Sequence, residues 1–294
     1  MKIEELKHLQ PTVFQRFVTI LEQHRLAHAY LFSGGFASYD MAIFLSQSLF
    51  CQEKAGVLPC QTCRPCRLIE AGEFSDVTLL EPQGTIIKTE TVRELVKNFS
   101  QSGFESSTQV FIIRDAEKMH ANAANSLLKV IEEPQSDIHI FLLTNQEEAV
   151  LPTIKSRTQM MAFPKNLPAL ERMLEEKGLL KTEASLLARL VSSQEEARRL
   201  AENKSFLDLI SQSKKFIDLL VVNPNQAYLQ VGTLVALAVE KAEQGRLFDL
   251  LSLLLAEKMM EPLAREKMDA VLTAKRMWQA NVSLQNSLEY VTLK

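Results

Sequence analysis

Up to about residue 165 the chain alternates two hydrophobic periods. Short apolar runs occur at 29–32 (AYLF), 76–82 (DVTLLEP), 109–115 (QVFIIRD), 138–145 (IHIFLLTN) and 159–163 (QMMAF). Four of them are nearly continuous, as expected of strands buried on both faces of a parallel sheet. Between the runs the apolar positions fall at helical spacing. MAIFLSQSLF (41–50) follows the first run. TVRELVKNF (91–99) opens on Thr91 with Glu94 three residues on, a capping box. AEKMHANAANSLLKVIEEP (116–134) keeps a helical period and stops at Pro134. Strands alternating with helices predict a doubly wound α/β domain over 1–165.

No strand pattern follows residue 166. LPALERMLEEKGLL and TEASLLARLVSSQEEARRLAE predict a small helical segment over 166–204, and 205–294 reads as a bundle of four or five amphipathic helices. The stretch 247–278 is apolar over so much of its circumference that it must be buried or meet a partner.

Charge narrows the function only a little. The 294 residues carry 33 basic and 36 acidic side chains, a formal net charge of −3, which gives no general attraction to nucleic acid. Arg198, Arg199, Lys214 and Lys215 are interleaved with acids and form no basic track. No apolar run approaches the roughly 18–20 residues that cross a bilayer. The charged N-terminus lacks the apolar core of a signal peptide. A cytoplasmic protein without membrane partners is expected.

The cysteines are clustered. Cys51, Cys60, Cys63 and Cys66 make a C-x8-C-x2-C-x2-C pattern within a module at about 51–66. Two-residue gaps let thiolates on one tight turn reach the same ion, and four thiolates complete the tetrahedral shell of structural zinc. Disulfides are an alternative that a reducing cytoplasm disfavours. An iron–sulfur cluster is another, although the ferredoxin run continues to a Cys-Pro where this chain has RLIE. A closed shell would staple an insertion rather than catalyse.

The segment YLFSGGFASYDMAIFLSQSLF (30–50) has the strand–loop–helix setting of a phosphate loop without its chemistry. Counted from Gly34, the second glycine, the lysine and the hydroxyl should fall at 39, 40 and 41, where the chain has Tyr39, Asp40 and Met41. Counting from Gly35 fails as well. In VFIIRDAEKM, Arg114 stands where a magnesium-binding aspartate would be, and Asp115 where a catalytic glutamate would be. Asp40 would set a carboxylate against a triphosphate that needs a cation. The alternative is that 34–41 is simply a strand-to-helix turn.

HAYLFSG with the cysteines behind it, DAEKMHANAANSLLKVIEEP, IFLLTN and LPTIKSRTQ together resemble the delta-prime family of bacterial DNA polymerase III clamp-loader subunits. That family has the AAA+ fold and is related to the gamma/tau ATPase subunit. The resemblance covers about 1–165 at motif level, and the helical remainder agrees in order and approximate length. It implies an AAA+ α/β domain with a zinc insertion, a helical lid at 166–204 and an all-α collar at 205–294. It also implies a degenerate nucleotide loop that holds no ATP, so no intrinsic ATPase activity is expected. The chain would be a scaffold in a pentameric ring, part of the DNA polymerase III holoenzyme, that loads the sliding clamp onto primed DNA. Its partners would be gamma/tau and delta, with clamp and DNA met through the assembly. The family's Ser-Arg-Cys motif, which presents an arginine finger to a neighbour's ATP, matches Ser156, Arg157 and Thr158; the role carries over to Arg157. Two alternatives remain open: a working gamma/tau-like ATPase, and an independent zinc-dependent nucleic-acid binder.

Other residues draw plainer readings. Thr144 is a vestigial sensor or a strand-end cap. His28 and His120 match no metal spacing with the cysteines. Lys129, Glu132 and Glu133 form solvated or subunit-facing ion pairs, and Trp278 belongs to a core or an interface.

Overall fold

A computed structural model describes residues 1–82, 84, 86–98, 106–134 and 136–294. Close packing divides the chain into two compact units. One comprises Met1–Ala169 with Ser192–Gln194; the other comprises Leu170–Val191 with Glu195–Lys294.

The first unit opens with α1 (Ile3–Leu9) and α2 (Pro11–Glu22). The elements then run β1 (Ala29–Ser33), α3 (Ser38–Phe50), α4 (Arg64–Ala71), β2 (Val77–Leu80), α5 (Thr89–Asn98), β3 (Thr108–Ile113), α6 (Ala121–Glu132), β4 (Asp137–Thr144), α7 (Pro152–Lys155) and β5 (Gln159–Ala162). All five predicted runs become strands of one sheet, in the order β2-β3-β4-β1-β5. Every pairing is parallel; in register, Leu31 lies opposite Leu142 and Phe32 opposite Met161.

The pleat sends successive side chains to opposite faces, and both faces are covered. Ala29, Leu31, Phe111, Ile113, Ile140 and Leu142 pack with Val92 and Leu95 of α5 and with Ala123, Leu127 and Ile131 of α6. Tyr30, Phe32, Val110, Ile112, Phe141 and Leu143 pack with Phe14 and Phe17 of α2 and with Met41, Phe44 and Leu45 of α3. Aromatic rings dominate this second face. Phe32 lies 5.6 Å from Phe17, 5.4 Å from Phe141 and 4.8 Å from Phe163, centroid to centroid.

Two predicted helices have different limits. α5 begins at Thr89, so Thr91 lies inside the first turn rather than capping it; Phe99, the last residue of the predicted segment, is outside the described residues. The predicted helix over 116–134 is broken. Ala116–Lys118 form a 3₁₀ turn, and α6 starts afresh after His120, whose Nδ1 accepts from Asn122 N at 3.4 Å. Asp115 at φ +51° turns the chain out of β3, and Met119, in extended conformation, separates the turn from the helix.

The second unit is helical: most of α8 (Leu167–Glu176), then α9 (Lys181–Leu190), α10 (Gln194–Ala201), α11 (Lys204–Val222), α12 (Pro224–Tyr228), α13 (Val231–Leu237), α14 (Lys241–Glu257), α15 (Pro262–Gln279) and α16 (Leu284–Leu293). Asn203 caps α11 by accepting from Phe206 N at 3.2 Å. The apolar stretch 247–278 folds into α14 and α15, with Pro262 opening the second, and it buries Leu247, Phe248, Leu251, Val271 and Ala274. Trp278 belongs to this packing. Its Nε1 donates to Gln244 at 2.8 Å and its ring lies 5.7 Å from Phe248. Lys267 is buried and donates to the last carbonyls of α16, Val291 O at 3.2 Å and Thr292 O at 3.3 Å. A cation there complements the negative end of the helix. Among the described residues no helix is long and apolar enough to cross a membrane.

Candidate functional site

The degenerate loop sits at the carboxyl end of β1, where open α/β sheets bind their ligands. Its glycines are there for close contact with the protein's own chain. Gly34 has φ +115°, and a Cβ on it would lie 2.3 Å from the carbonyl oxygen of Phe163. A Cβ on Gly35 would lie 2.5 Å from Asn145 Oδ1 and 2.9 Å from Ser192 O. Gly35 also bridges to Ser193, and its carbonyl accepts from Gln194 N at 3.2 Å. Gly34→Ala therefore combines backbone strain with a clash against an immovable carbonyl. It should lower stability by about 3 kcal/mol or more, read from urea denaturation; a loss below about 1 kcal/mol would contradict this geometry.

The substituted positions are all engaged elsewhere. Met41 is completely buried in the aromatic core. Asp40 Oδ1 lies 3.6 Å from the Met1 ammonium. The Arg114 guanidinium stands 5.0 Å from the centroid of the Tyr39 ring and donates to Glu81 at 2.7 Å. Thus the residue in the place of the second glycine touches the residue in the place of the magnesium aspartate. Asp115 is paired with Lys118 at 2.8 Å. Thr144 caps the end of β4, its Oγ1 accepting from Gln146 N at 3.0 Å. No lysine stands at the loop position that would pair with the terminal phosphates of a nucleotide.

Arg157 follows α7 on the surface of the first unit. Its Nε donates to Glu132 at the end of α6, and its Nη1 donates to Thr153 O at 3.1 Å and to Ser156 Oγ at 3.2 Å. Thr158 donates to Ile154 O at 3.0 Å, so a hydroxyl closes the turn where the resembled motif has a thiol. The Arg157 side chain is about one-third exposed. An accessible, fixed guanidinium can neutralise charge on an approaching phosphate.

The four cysteines converge. Cys51 ends α3, Cys63 precedes α4 and Cys66 lies in its first turn, completely buried. Gln61, at φ +59°, turns the chain between Cys60 and Cys63. The four sulfurs lie within 4.8 Å of one another, with Cys51–Cys60 at 3.6 Å and Cys51–Cys63 at 3.9 Å. All four are free thiols rather than disulfides. Tetrahedral thiolates about 2.3 Å from zinc are roughly 3.8 Å apart, so the residues fit such an ion. Backbone amides support the sulfurs: Cys60 N points to Cys51 Sγ at 3.3 Å, and Cys63 N to Cys60 Sγ at 3.2 Å. The Thr62 hydroxyl, followed by the amides of Thr62 and Cys63, lowers the Cys60 thiol to about 6. Burial pushes Cys51 and Cys66 up. The set is compatible with structural zinc, and Gln47 Nε2 ties the module to α3 by donating to Cys66 O at 2.9 Å.

The histidines stay apart from this cluster. His28 Nε2 lies 2.6 Å from Ile131 O, and His120 caps α6. Glu132, read from sequence as solvated or subunit-facing, is paired within its own chain to Arg157. That pair, the Arg114–Tyr39–Glu81 contact and the approach of 192–194 to the loop all join distant parts of the sequence. No local spacing signals them.

A family model described as DNA polymerase III, delta subunit, matches residues 9–166. DNA polymerase III subunit delta′ of Bacillus subtilis is 32% identical over 99% of this chain and 97% of its own length. The Pseudomonas aeruginosa subunit delta′ is 38% identical over 51% of this chain and 46% of its own. DNA polymerase III subunit gamma/tau of Mycobacterium bovis is 31% identical over 56% of this chain and 30% of its own. A DNA polymerase III gamma subunit-related protein of Thermotoga maritima superposes with a TM-score of 0.52 at 19% identity, over 95% of this chain and 97% of that one, which supports the AAA+ fold. With one relative matched along nearly the whole length and a substituted phosphate loop on a parallel AAA+ sheet, the chain belongs to the DNA polymerase III delta′ family.

Proposed function

We propose that this protein is the non-catalytic delta-prime member of a replicative clamp loader. It sits in a pentameric ring of AAA+ subunits that opens the sliding clamp and places it on primed DNA. The α/β domain over 1–165 meets a gamma/tau ATPase through the Arg157 face and a delta subunit elsewhere in the ring. Residues 166–204 serve as a lid, and 205–294 join the collar that holds the chains together. Cys51, Cys60, Cys63 and Cys66 hold a structural zinc. The cytoplasm is its place of work, and DNA is engaged by the assembly rather than by this chain alone.

One observation carries the reading: Tyr39 and Arg114, from two separate motifs of the lost nucleotide site, are in contact, the guanidinium over the ring, while Arg157 stands on the surface. The chain has given up the residues for its own ATP and kept one that serves another subunit's. Arg157, oriented by the turn at Ser156, would meet the γ-phosphate of the neighbouring ATP and balance charge that builds in the transition state.

Filter binding of labelled ATP to the isolated chain should detect nothing at millimolar nucleotide. Mixing with the cognate gamma/tau and delta subunits should yield one complex by size-exclusion light scattering. Stoichiometric ATP binding by the isolated chain would instead favour a gamma/tau-like ATPase. Failure to enter the complex, joined to steeply salt-dependent DNA binding, would favour an independent nucleic-acid binder.

A further inference from the structure

We propose that Glu132 is a positioning residue for Arg157, aiming its guanidinium outward at the neighbouring subunit's nucleotide; this rests on the role proposed above for Arg157. A guanidinium carries five N–H donors in a rigid plane. Here Nε is taken by Glu132, and Nη1 by Thr153 O and Ser156 Oγ. Three contacts fix the plane, and Nη2 is the edge with no bonded partner among the described residues.

Helix stability gives no reason for a carboxylate at this point. Glu132 is the last residue of α6, where the negative end of the helix dipole disfavours it. The pair is also exposed, with side-chain accessibilities of 35% for Arg157 and 47% for Glu132. Such pairs contribute little to folding.

What Glu132 does have is a rigid base. Its neighbour Ile131 is 1% exposed in the core beneath the sheet, and the Ile131 carbonyl is held by His28 at 2.6 Å. On the other side, Ile154 of α7 is completely buried. The carboxylate therefore ties the guanidinium to the frame of the sheet. Without it, Arg157 keeps only the contacts within its own turn and its long side chain samples other rotamers. The cost falls on turnover more than on ATP affinity, because the finger acts on charge that develops in the transition state.

The test is DNA-stimulated ATPase activity of the loader assembled from gamma/tau, delta and this chain, with Glu132→Ala, Glu132→Gln, Arg157→Ala and the double variant Glu132→Ala/Arg157→Ala. Glutamine keeps an oxygen that accepts from Nε. Glu132→Ala is expected to lower kcat about threefold to tenfold, with the KM for ATP within about twofold. Glu132→Gln should return kcat to within about twofold of the native ring, and the double variant should match Arg157→Ala alone. Melting temperatures should be equal across the set. If Arg157→Ala loses activity while Glu132→Ala turns over normally or faster, the positioning role is overturned and the finger stands. If Arg157→Ala itself has no effect, the finger assignment fails and the role of Glu132 fails with it.

Discussion

Replacing Arg157 by alanine in the reconstituted loader is expected to cut DNA-stimulated ATP turnover severalfold or more, with the ring still assembled. An arginine finger contributes about 10³–10⁵ in rate at the site it serves. In the proposed ring only the ATP site beside this chain would lose its finger, so the ring as a whole would lose less than that. The substitution removes a surface group whose ion pair to Glu132 is exposed, so folding should hardly change. Arg157→Lys should recover little: lysine keeps the charge but has no planar fork to share among Glu132, Thr153 and a phosphate. The measurement is steady-state phosphate release from rings matched for composition by light scattering. Unchanged turnover with alanine would leave the chain a purely architectural role.

The second large effect concerns the cysteine module. The native chain is expected to carry one zinc per molecule by elemental analysis, and Cys63→Ser about a tenth of that or less. Three thiolates leave the tetrahedral shell open, and the metal's binding free energy is also folding free energy for the segment around it. Cys66 is wholly buried and its thiol is pushed up by desolvation, so without a cation it stays a neutral thiol in an apolar setting. A strong chelator or Cys63→Ser should lower the melting temperature by roughly 5–10 °C, at about 2–4 °C per kcal/mol for a domain of this size. The loss should centre on the segment between α3 and α4, seen as faster amide exchange there. Iron in place of zinc, with visible absorbance, would overturn the zinc assignment. A full complement of zinc in Cys63→Ser would overturn the ligand set.

The sheet was legible because its central strands β1, β3 and β4 are buried on both faces and read as continuous apolar runs, as IHIFLLTN does, while the edge strands β2 and β5 keep exposed positions such as Leu79 and Met160. The altered loop was legible too, since a phosphate loop is a short pattern with fixed spacing. What its glycines pack against was not. Phe163, Asn145 and Ser192 lie against Gly34 and Gly35, and those residues are far off in sequence. The break before α6 was hidden for a different reason: residues 116–134 keep a helical period, but Asp115 turns the chain at positive φ before the helix starts. The C-x2-C-x2-C spacing pointed to a set of thiols able to share one ion, and Cys51 joins the other three sulfurs because α3 ends beside them. Glu132 looked like any surface glutamate on a polar helix end. Only the fold brings the turn after α7 against it.

In the proposed loader this chain holds no ATP of its own and completes a neighbour's site. The deciding measurement is rapid-quench hydrolysis by the assembled loader, started by adding primed DNA to rings preloaded with labelled ATP. Arg157→Ala should leave the number of bound ATP molecules unchanged and reduce the fast burst by one ATP per ring. A burst of native amplitude from rings carrying Arg157→Ala would contradict the claim.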